Sequence, residues 1–363
     1  MATVRPLGPT ADHGRSLALP QRTSKEACRP TRWLSSLLGL CEPARVTSSH
    51  PQSNGTISVV ICTLDRPGSL GRCLDAVLAG SRLPEQIVVI DQGDAETTAA
   101  VLRSRSSAGV PLVHVRQGRR GLSAGQNAGV RQAHGDVVCV TDDDCVPDLR
   151  WVEVAEREHA RGPRPLLLGG RVLPLPAEGE RTVPLSTRTS TEPATLSRRD
   201  PPWRVGSGPN FSVSREAYLA VGGNDERLGT GAPGLAGNDI DLFHRIKRSG
   251  VETRYEPDMV VLHERATPAQ YRSRRWTYGF GMGASVVAWI RDGDGTAVRI
   301  LASWGLMRLR RLARARQRDT VVNELHLLLG TLRGMWHGLR MGPRRPAGEG
   351  PEDARTGRTT TNG

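Results

Sequence analysis

From residue 57 onward, short apolar runs rich in β-branched residues alternate with stretches whose apolar positions recur every three or four residues. ISVVIC (57–62), QIVVID (86–91), PLVHV (111–115) and DVVCVT (136–141) are predicted as buried strands. Between them, Leu70, Leu74, Val77 and Leu78 mark a helix that starts at Pro67 and stops at Gly80. A second helix covers about 95–106, and GLSAGQNAGVRQAHG opens as a glycine-rich loop before turning helical. Strand and helix in strict turn predict an α/β domain on a mostly parallel sheet flanked by helices. The alternation resumes after Trp151: a helix to about Ala160, a strand LLLGGRV (166–172), a Pro/Thr/Arg-rich loop from Pro174 to Pro202, and the turn and strand GSGPNFSVS (206–214). A helix from Arg215 to Val221, a helix in GNDIDLFHRIKRSG (237–250) and a last strand MVVLH (259–263) complete the pattern.

The chain outside this alternation divides by composition. Residues 1–55 are a polar Pro/Ser/Arg-rich leader and residues 343–363 a polar tail, both predicted disordered. Residues 56–265 form the α/β domain, and 266–342 a basic helical region. That region holds two amphipathic patterns, from Ala297 to about Arg318 and from Thr320 to about Arg340; the second carries Val322, Leu325, Leu329, Leu332, Trp336 and Leu339 on one face.

Charge sharpens the division. The net charge is +13, and between Arg265 and Arg345 sixteen arginines face four acids, a surplus of twelve. A neutral α/β part joined to a strongly basic helical part predicts contact with an anionic surface, with tryptophans 289, 304 and 336 beside arginines suiting a bilayer headgroup region. The competing expectation is that both stripes pack on the α/β domain or a second subunit. No stretch reaches the roughly 18–20 apolar residues that span a bilayer. The six cysteines fall in no metal-like spacing and are read as reduced thiols, which predicts a cytoplasmic protein, peripheral at the inner face of the plasma membrane.

The candidate chemistry lies at strand ends, where ligands bind in open α/β sheets. DVVCVT runs directly into Asp142, Asp143 and Asp144. In extended backbone, Asp142 and Asp144 share a face while Asp143 points away, and two hard oxygen donors there suit Mn²⁺ or Mg²⁺ carrying a diphosphate. A solvated acidic turn capping the next helix is the alternative.

The order of these segments, ISVVICTLDR, VVIDQGD, GLSAGQNAG, DDD, GPNFSVSREAYLAVGGNDERLG and GNDIDLFHRIKRSG, resembles the family 2 glycosyltransferases with the GT-A fold, over about Ile57 to His263. The resemblance implies a Rossmann-related GT-A domain, a nucleotide-sugar donor and a divalent metal. It places Thr63, Asp65, Asp91, Asn127 and Asp142 at the donor nucleotide. It makes Asp142 and Asp144 the metal-binding pair, with His263 completing the shell. Asp239 matches the general base of inverting members, which takes the proton of an acceptor hydroxyl; as a simpler role it caps its helix. Asn238 stands where the family usually has Glu, and Asn210 and Asn238 fall on the acceptor side. RSRRW (272–276) resembles the QxxRW motif of processive synthases, with Arg272 in the Gln position, and Arg275 and Trp276 border the diphosphate or acceptor on this reading. The implied acceptor, taken together with the basic helices, is a lipid-linked or cell-envelope glycan.

Two rivals are set against this. A nucleotidyltransferase needs cations near the first strand's loop, which offers only Arg66. A nucleic-acid-binding protein would use the arginine-rich helices, but four tyrosines and three phenylalanines in the whole chain make base-stacking platforms sparse, so no nucleic acid partner is expected.

Overall fold

The computed structural model describes residues 55–118, 120–161, 165–177 and 182–344. The predicted leader 1–55 and tail 343–363 lie outside them except at Gly55, Pro343 and Arg344. The first half follows the predicted alternation: β1 (Ile57–Thr63), α1 (Pro67–Leu78), β2 (Gln86–Asp91), α2 (Ala95–Arg103), β3 (Leu112–Arg116), α3 (Leu122–Gln132) and β4 (Val137–Asp142). Pro67 opens α1 where a missing N–H costs nothing, and the Asp94 side chain caps α2 by accepting from the Thr97 N–H at 2.8 Å. The second half is β5 (Cys145–Pro147), α4 (Trp151–Arg161), β6 (Leu166–Pro174), β7 (Ala194–Thr195), β8 (Phe211–Ser214), α5 (Arg215–Ala220), α6 (Asn238–Ser249) and β9 (Glu252–His263).

Among the described residues nine strands form one sheet, in the order β3-β2-β1-β4-β8-β6-β9-β5, with β7 on β9. The stretch β3-β2-β1-β4 is parallel; β2, β1 and β4 are buried on both faces, as their Val/Ile runs require, while β3 is a half-exposed edge strand. The expectation of a mostly parallel sheet stops there. Strand β8 is antiparallel to both neighbours, β5 and β7 are antiparallel to β9, and β6 and β9 are parallel to each other. Neither β5 nor β8 enters through a strand-helix-strand crossover beside its partner, the connection that enforces parallel direction. Two strands exceed the sequence reading. β5 was too short and too polar in its approach to register, and β9 begins seven residues before MVVLH, because Thr253, Tyr255, Met259 and Val261 point inward while charged residues alternate with them.

Three helices follow: α7 (Pro268–Arg291), α8 (Thr296–Arg314) and α9 (Arg318–Arg340). The sequence patterns marked α8 and α9 and missed α7, whose GFGMGAS run reads as a helix breaker. The structure explains the glycines. A Cβ at Gly279 or Gly283 would collide with the Leu327 or Thr331 carbonyl of α9, and one at Gly330 or Gly334 with the Trp276 or Phe280 carbonyl of α7. Gly281, on another side of α7, meets Ala236 and Gly237 just before α6. The helix therefore trades propensity for backbone-to-backbone approach on two sides, and Thr267 offsets part of that loss through a capping box with Gln270. Met282, Val286, Trp289, Ile300, Trp304 and Leu327 form a core of their own between the three helices.

The bundle is joined to the α/β domain by buried polar contacts as well. Trp289 Nε1 donates to Asp241 of α6 at 2.8 Å, and the Trp289 ring stacks on His244 with centroids 4.0 Å apart. Arg344 pairs with both Asp225 and Asp241, so the chain is held against the domain at a position where the sequence predicted a disordered tail.

Glycine substitutions in the bundle separate two effects. Gly334→Ala should lower stability by about 1–3 kcal/mol through overpacking against α7. Gly305→Ala, on α8 with open space around the added Cβ, should raise it by roughly 0.5–1 kcal/mol. Thermal or urea unfolding of the two variants reads the contrast, and equal effects would contradict the close α7–α9 approach.

Candidate active site

The carboxyl ends of β1, β4, β6 and β9 lie along the same edge of the sheet, as the pairings through β8 require. There the chain encloses a cavity of about 790 Å³ lined by residues that include Thr63, Arg66, Asp142, Asp143, Asp144, Asn238, Asp239 and His263. The short strand β5 brings its two halves together. Its Cys145 is in register with His263 at the end of β9, which puts the His263 ring beside the aspartates that directly precede β5.

Asp144 Oδ1 lies 3.7 Å from His263 Nε2, and the ligand atoms of Asp144, Cys145 and His263 all fall within 4.8 Å of one another. His263 Nδ1 donates to the Glu264 carbonyl at 2.7 Å, a contact that leaves Nε2 as the free ring nitrogen toward Asp144. Asp143 does not point away from the site, as alternation had predicted. The chain turns at this point, and Asp143 is buried, accepting from Thr63 Oγ1 at 2.8 Å and pairing with Arg66 at 3.1 Å. Thr63 is thus tied to the acidic turn. Arg66 also pairs with Asp144 at 2.8 Å. Even so, one half-exposed guanidinium does not balance three carboxylates. Burial, then Asp144 and Asp143, push the Asp142 carboxyl up to about 8, and burial lifts Asp143 to about 6 against the pull of Arg66. Hard oxygen donors, a correctly oriented imidazole and excess negative charge fit a divalent cation.

Asp239 sits in the first turn of α6, where Gly237, at φ +84° and pressed against Gly281, lets the helix begin beside the cavity. Its Oδ2 accepts from the Gly208 N–H at 2.8 Å and its Oδ1 from the Ile240 N–H at 2.8 Å. Burial raises its pKa, with those backbone donors opposing. The carboxylate is held in place while lining the same cavity as the acidic turn.

The sequence model of the family described as Glycosyl transferase family 2 matches residues 58–222. This stretch is a family 2 glycosyltransferase domain. Among its relatives are the glucosyl-dolichyl phosphate glucuronosyltransferase of Haloferax volcanii, 27% identical over 184 residues, covering 48% of this chain and 57% of that protein. Another is the pre-mycofactocin glycosyltransferase of Mycobacterium tuberculosis, 26% identical over 321 residues, 80% of this chain and 65% of that protein. The chain thus spans somewhat under two thirds of the length of these relatives. The solved mannosyltransferase PcManGT of Pyrobaculum calidifontis, in complex with GDP-Man and Mn²⁺, superposes with a TM-score of 0.53 at 18% identity, covering 79% of this chain and 89% of that one. Residues 1–349 of S. aureus TarS, in complex with UDP-GlcNAc, give 0.51 at 14% identity, covering 77% and 81%. These likenesses show the GT-A fold.

Not every residue the resemblance assigned to the site lines its cavity. Asp65, at φ +54°, accepts from the Asp94 N–H at 2.8 Å and ties the loop after β1 to the loop after β2. Asp91 is buried, accepting from the Gly93 N–H and facing His114 Nε2 at 3.0 Å. Asn127 is also buried, and every hydrogen-bonding position of its amide is used within the protein. Its Nδ2 donates to the Asn224 carbonyl and Glu226, and its Oδ1 accepts from Tyr218 Oη and the Asn224 N–H. Asn210 bonds to Trp151 and to the Arg171 and Met259 carbonyls, stitching β8 to β6, β9 and α4, while its neighbours Gly206 to Pro209 line the cavity. Asn238 does line it, with Nδ2 3.3 Å from Gln126 Oε1.

Three further sets of residues line the cavity, and of these the sequence reading had pointed only to Arg275. Residues 184–188 of the long loop line it, with Ser186 Oγ 2.9 Å from Tyr278 Oη of α7. Helix α7 adds Tyr271, Arg274, Arg275 and Met282, whereas Trp276 is outside the lining. Helix α8 adds Trp304, Arg308 and Arg311. The RSRRW match carried the only signal for any of them.

The acidic turn predicts a pH-dependent stability. Because the folded Asp142 carboxyl is held above its ordinary value, ionising it opposes folding. That penalty begins above the unfolded pKa near 4 and grows until about pH 8. In the presence of a chelator, Asp142→Asn should therefore raise the melting temperature more at pH 8 than at pH 5. Saturating Mn²⁺ should stabilise the wild type more than the variant. A variant effect that is flat with pH would rule out this electrostatic picture.

Proposed function

We propose that the protein is an inverting, metal-dependent glycosyltransferase that moves one sugar from a nucleotide-sugar donor to an acceptor hydroxyl. The observation that carries this is that Asp142, Asp144, His263 and Asp239 all line one cavity at the carboxyl edge of a GT-A sheet. Asp142, Asp144 and His263 would hold a divalent cation, Mn²⁺ or Mg²⁺, and that cation would offset the charge that develops on the departing nucleoside diphosphate. Asp239 takes the proton of the acceptor hydroxyl as its oxygen bonds to the anomeric carbon, while the bond from that carbon to the diphosphate oxygen breaks on the opposite side. The Gly208 and Ile240 N–H groups keep the Asp239 carboxylate oriented for that transfer. Thr63 and the surrounding small residues form the floor for the nucleotide, and Asp65, Asp91 and Asn127 shape it by fixing the loops and α3.

The acceptor in this reading is a lipid-linked or envelope glycan presented at an anionic membrane surface. Among the described residues no helix is long and apolar enough to cross a membrane. The bundle instead exposes an apolar stripe: on α9, Leu325, Leu329, Leu332, Trp336 and Leu339 are each at least two-fifths exposed, and Leu306 and Leu309 of α8 are exposed as well. The opposite face of α9 is the glycine face spent on α7, so the stripe is not packed within this chain, and a second subunit is its alternative occupant. Arg340, over the Trp336 ring at 4.1 Å, and the other arginines of α8 and α9 complement anionic headgroups. The free thiols Cys62, Cys73, Cys139 and Cys145 agree with the cytoplasmic side. One relative's name couples glucuronosyl transfer to glucosyl-dolichyl phosphate, which supports a lipid-linked acceptor here.

Thermal denaturation against a panel of nucleoside diphosphates and nucleotide sugars tests the donor site: one nucleotide should stabilise the wild type only with Mn²⁺ or Mg²⁺ present, and Asp144→Ala should abolish the shift. With the donor so identified, Asp239→Asn should cut turnover about 10²- to 10⁴-fold while leaving that nucleotide shift intact. Failure of every nucleotide to stabilise the wild type would sink the reading. For the membrane part, cosedimentation with vesicles containing phosphatidylglycerol, but not with phosphatidylcholine alone, is expected. Leu329→Glu combined with Leu332→Glu should remove it. Wild-type protein that stays in the supernatant with both lipids would exclude the membrane contact.

A further inference from the structure

The walls that α7 and α8 give the cavity carry the opposite charge to the strand-end turn. Arg274, Arg275, Arg308 and Arg311 all line it, with Trp203 and Trp304 beside them at a ring separation of 5.4 Å. Arg308 is the unusual member, because it is only 7% exposed. Its guanidinium lies over the Trp304 ring at 4.2 Å, and its Nη1 stands 3.6 Å from Glu324 Oε2, beyond hydrogen-bonding range. Neither Nε nor Nη1 of Arg308 has a hydrogen-bond partner. Glu324, itself buried, already accepts from Arg275 Nη2 at 2.6 Å.

A buried guanidinium and a largely buried one thus share one carboxylate. Closing the gap between Arg308 Nη1 and Glu324 would still leave Arg308 Nε without an acceptor and the cluster with one positive charge in excess, before Arg274 and Arg311 are added. An uncompensated buried charge with idle donors opposes folding and calls for an anion that supplies both charge and acceptors. Burial accordingly draws the Arg308 pKa down to about 10, which still leaves the group charged at neutral pH. A tetrahedral oxyanion meets the planar donor fork of arginine well, through paired charge-assisted hydrogen bonds. The donor's own diphosphate is already provided for by the strand-end carboxylates and their cation, whereas this cluster belongs to α7, α8 and α9. The arginine wall is therefore left to the other substrate.

We propose that Arg308, with Arg275 and Arg311, forms a phosphate subsite for the acceptor, so that the enzyme selects acceptors carrying a phosphate group near the hydroxyl that is glycosylated. The inference rests on the glycosyltransferase reading for the word acceptor, and its test separates the two. The paired tryptophans supply apolar and stacking surface next to the phosphate, suited to the group that the phosphate is esterified to.

The probes are inorganic phosphate and glycerol 3-phosphate, titrated calorimetrically into the full-length protein with chelator and without nucleotide, at constant ionic strength. Both should bind the wild type. Arg308→Met should weaken each by about tenfold or more, the loss expected for a charge-assisted contact. Arg311→Gln, at an exposed position where folding is not at stake, should weaken them by a smaller factor. Both variants should keep the metal-dependent nucleoside diphosphate shift, and Arg308→Met should melt no lower than the wild type in the absence of phosphate. Equal phosphate binding by wild type and both variants, or none by wild type, would overturn the subsite. Binding of inorganic phosphate without glycerol 3-phosphate would overturn its assignment to a substrate ester. Loss of the nucleotide shift together with phosphate binding would assign the arginines to the donor instead. Wild-type protein that binds phosphate but responds to no nucleotide would remove the glycosyltransferase reading and, with it, the acceptor assignment, leaving only an anion site.

Discussion

The site depends on three carboxylates gathered where β4 ends. Asp142, Asp143 and Asp144 repel one another in a partly dehydrated cavity, and only Arg66 pairs with two of them directly. Such an arrangement persists because the sheet behind it is overdetermined. Strand β4 is fixed in register by β1 on one side and β8 on the other, with Val/Ile side chains buried on both faces. The sheet supplies the stability against which the charge is held, and the charge makes the cavity receptive to a cation. The same register logic places His263. The three residues of β5 pair with the end of β9, and a shift of one residue would turn His263 to the other face of the sheet.

The helical bundle completes the enclosure. Helix α7 could not reach both α9 and the start of α6 if its facing positions carried side chains, so glycine on both sides of the helix is a condition for the cavity to have a second wall. Asp241, buried in α6, anchors that wall: burial works against its charge, but Arg245 and Arg344 hold its carboxyl below the ordinary range, and Trp289 of α7 donates to it. Asp239, two residues earlier in the same helix, is left to face the cavity. One turn of α6 therefore carries a carboxylate paired with arginines and one that lines the cavity.

Much of this was legible in the chain. Buried parallel strands announce themselves as continuous Val/Ile runs, and β1, β2 and β4 matched their patterns to within a residue or so. The acidic turn, His263 and Asp239 could be placed because each closes or opens an element whose ends were readable. What escaped had a common cause: its signal was tertiary. The glycines of α7 mean helix only when another backbone lies against them. The inward positions of β9 alternate with charges that its neighbours tolerate. Asn127, Asn210 and Asp91 occupy family positions in the sequence, and in the structure each helps to hold loops or strands together; the Asn127 amide, with all four of its hydrogen bonds made inside the protein, has none left to offer a ligand.

The cavity's two kinds of wall follow from where each comes from. Strand ends offer short carboxylate side chains on fixed backbone, which suits a metal and a leaving group that must be held in one geometry. Helix faces offer long arginines that approach from a distance and tolerate variation in what they meet. A transferase for two substrates gains from that division, because the rigid side can be common to many donors while the helical side is free to diverge with the acceptor. In this chain the helical side is also the side that bears the exposed apolar stripe of α9. An acceptor arriving with a phosphate and an apolar anchor would meet, on the same three helices, a surface for the anchor and arginines for the phosphate. On the proposed reading the charge concentrated between residues 265 and 345 would have two separate uses, one on the outer faces of α8 and α9 and one turned into the cavity, and of the arginines in the second only Arg308 is buried.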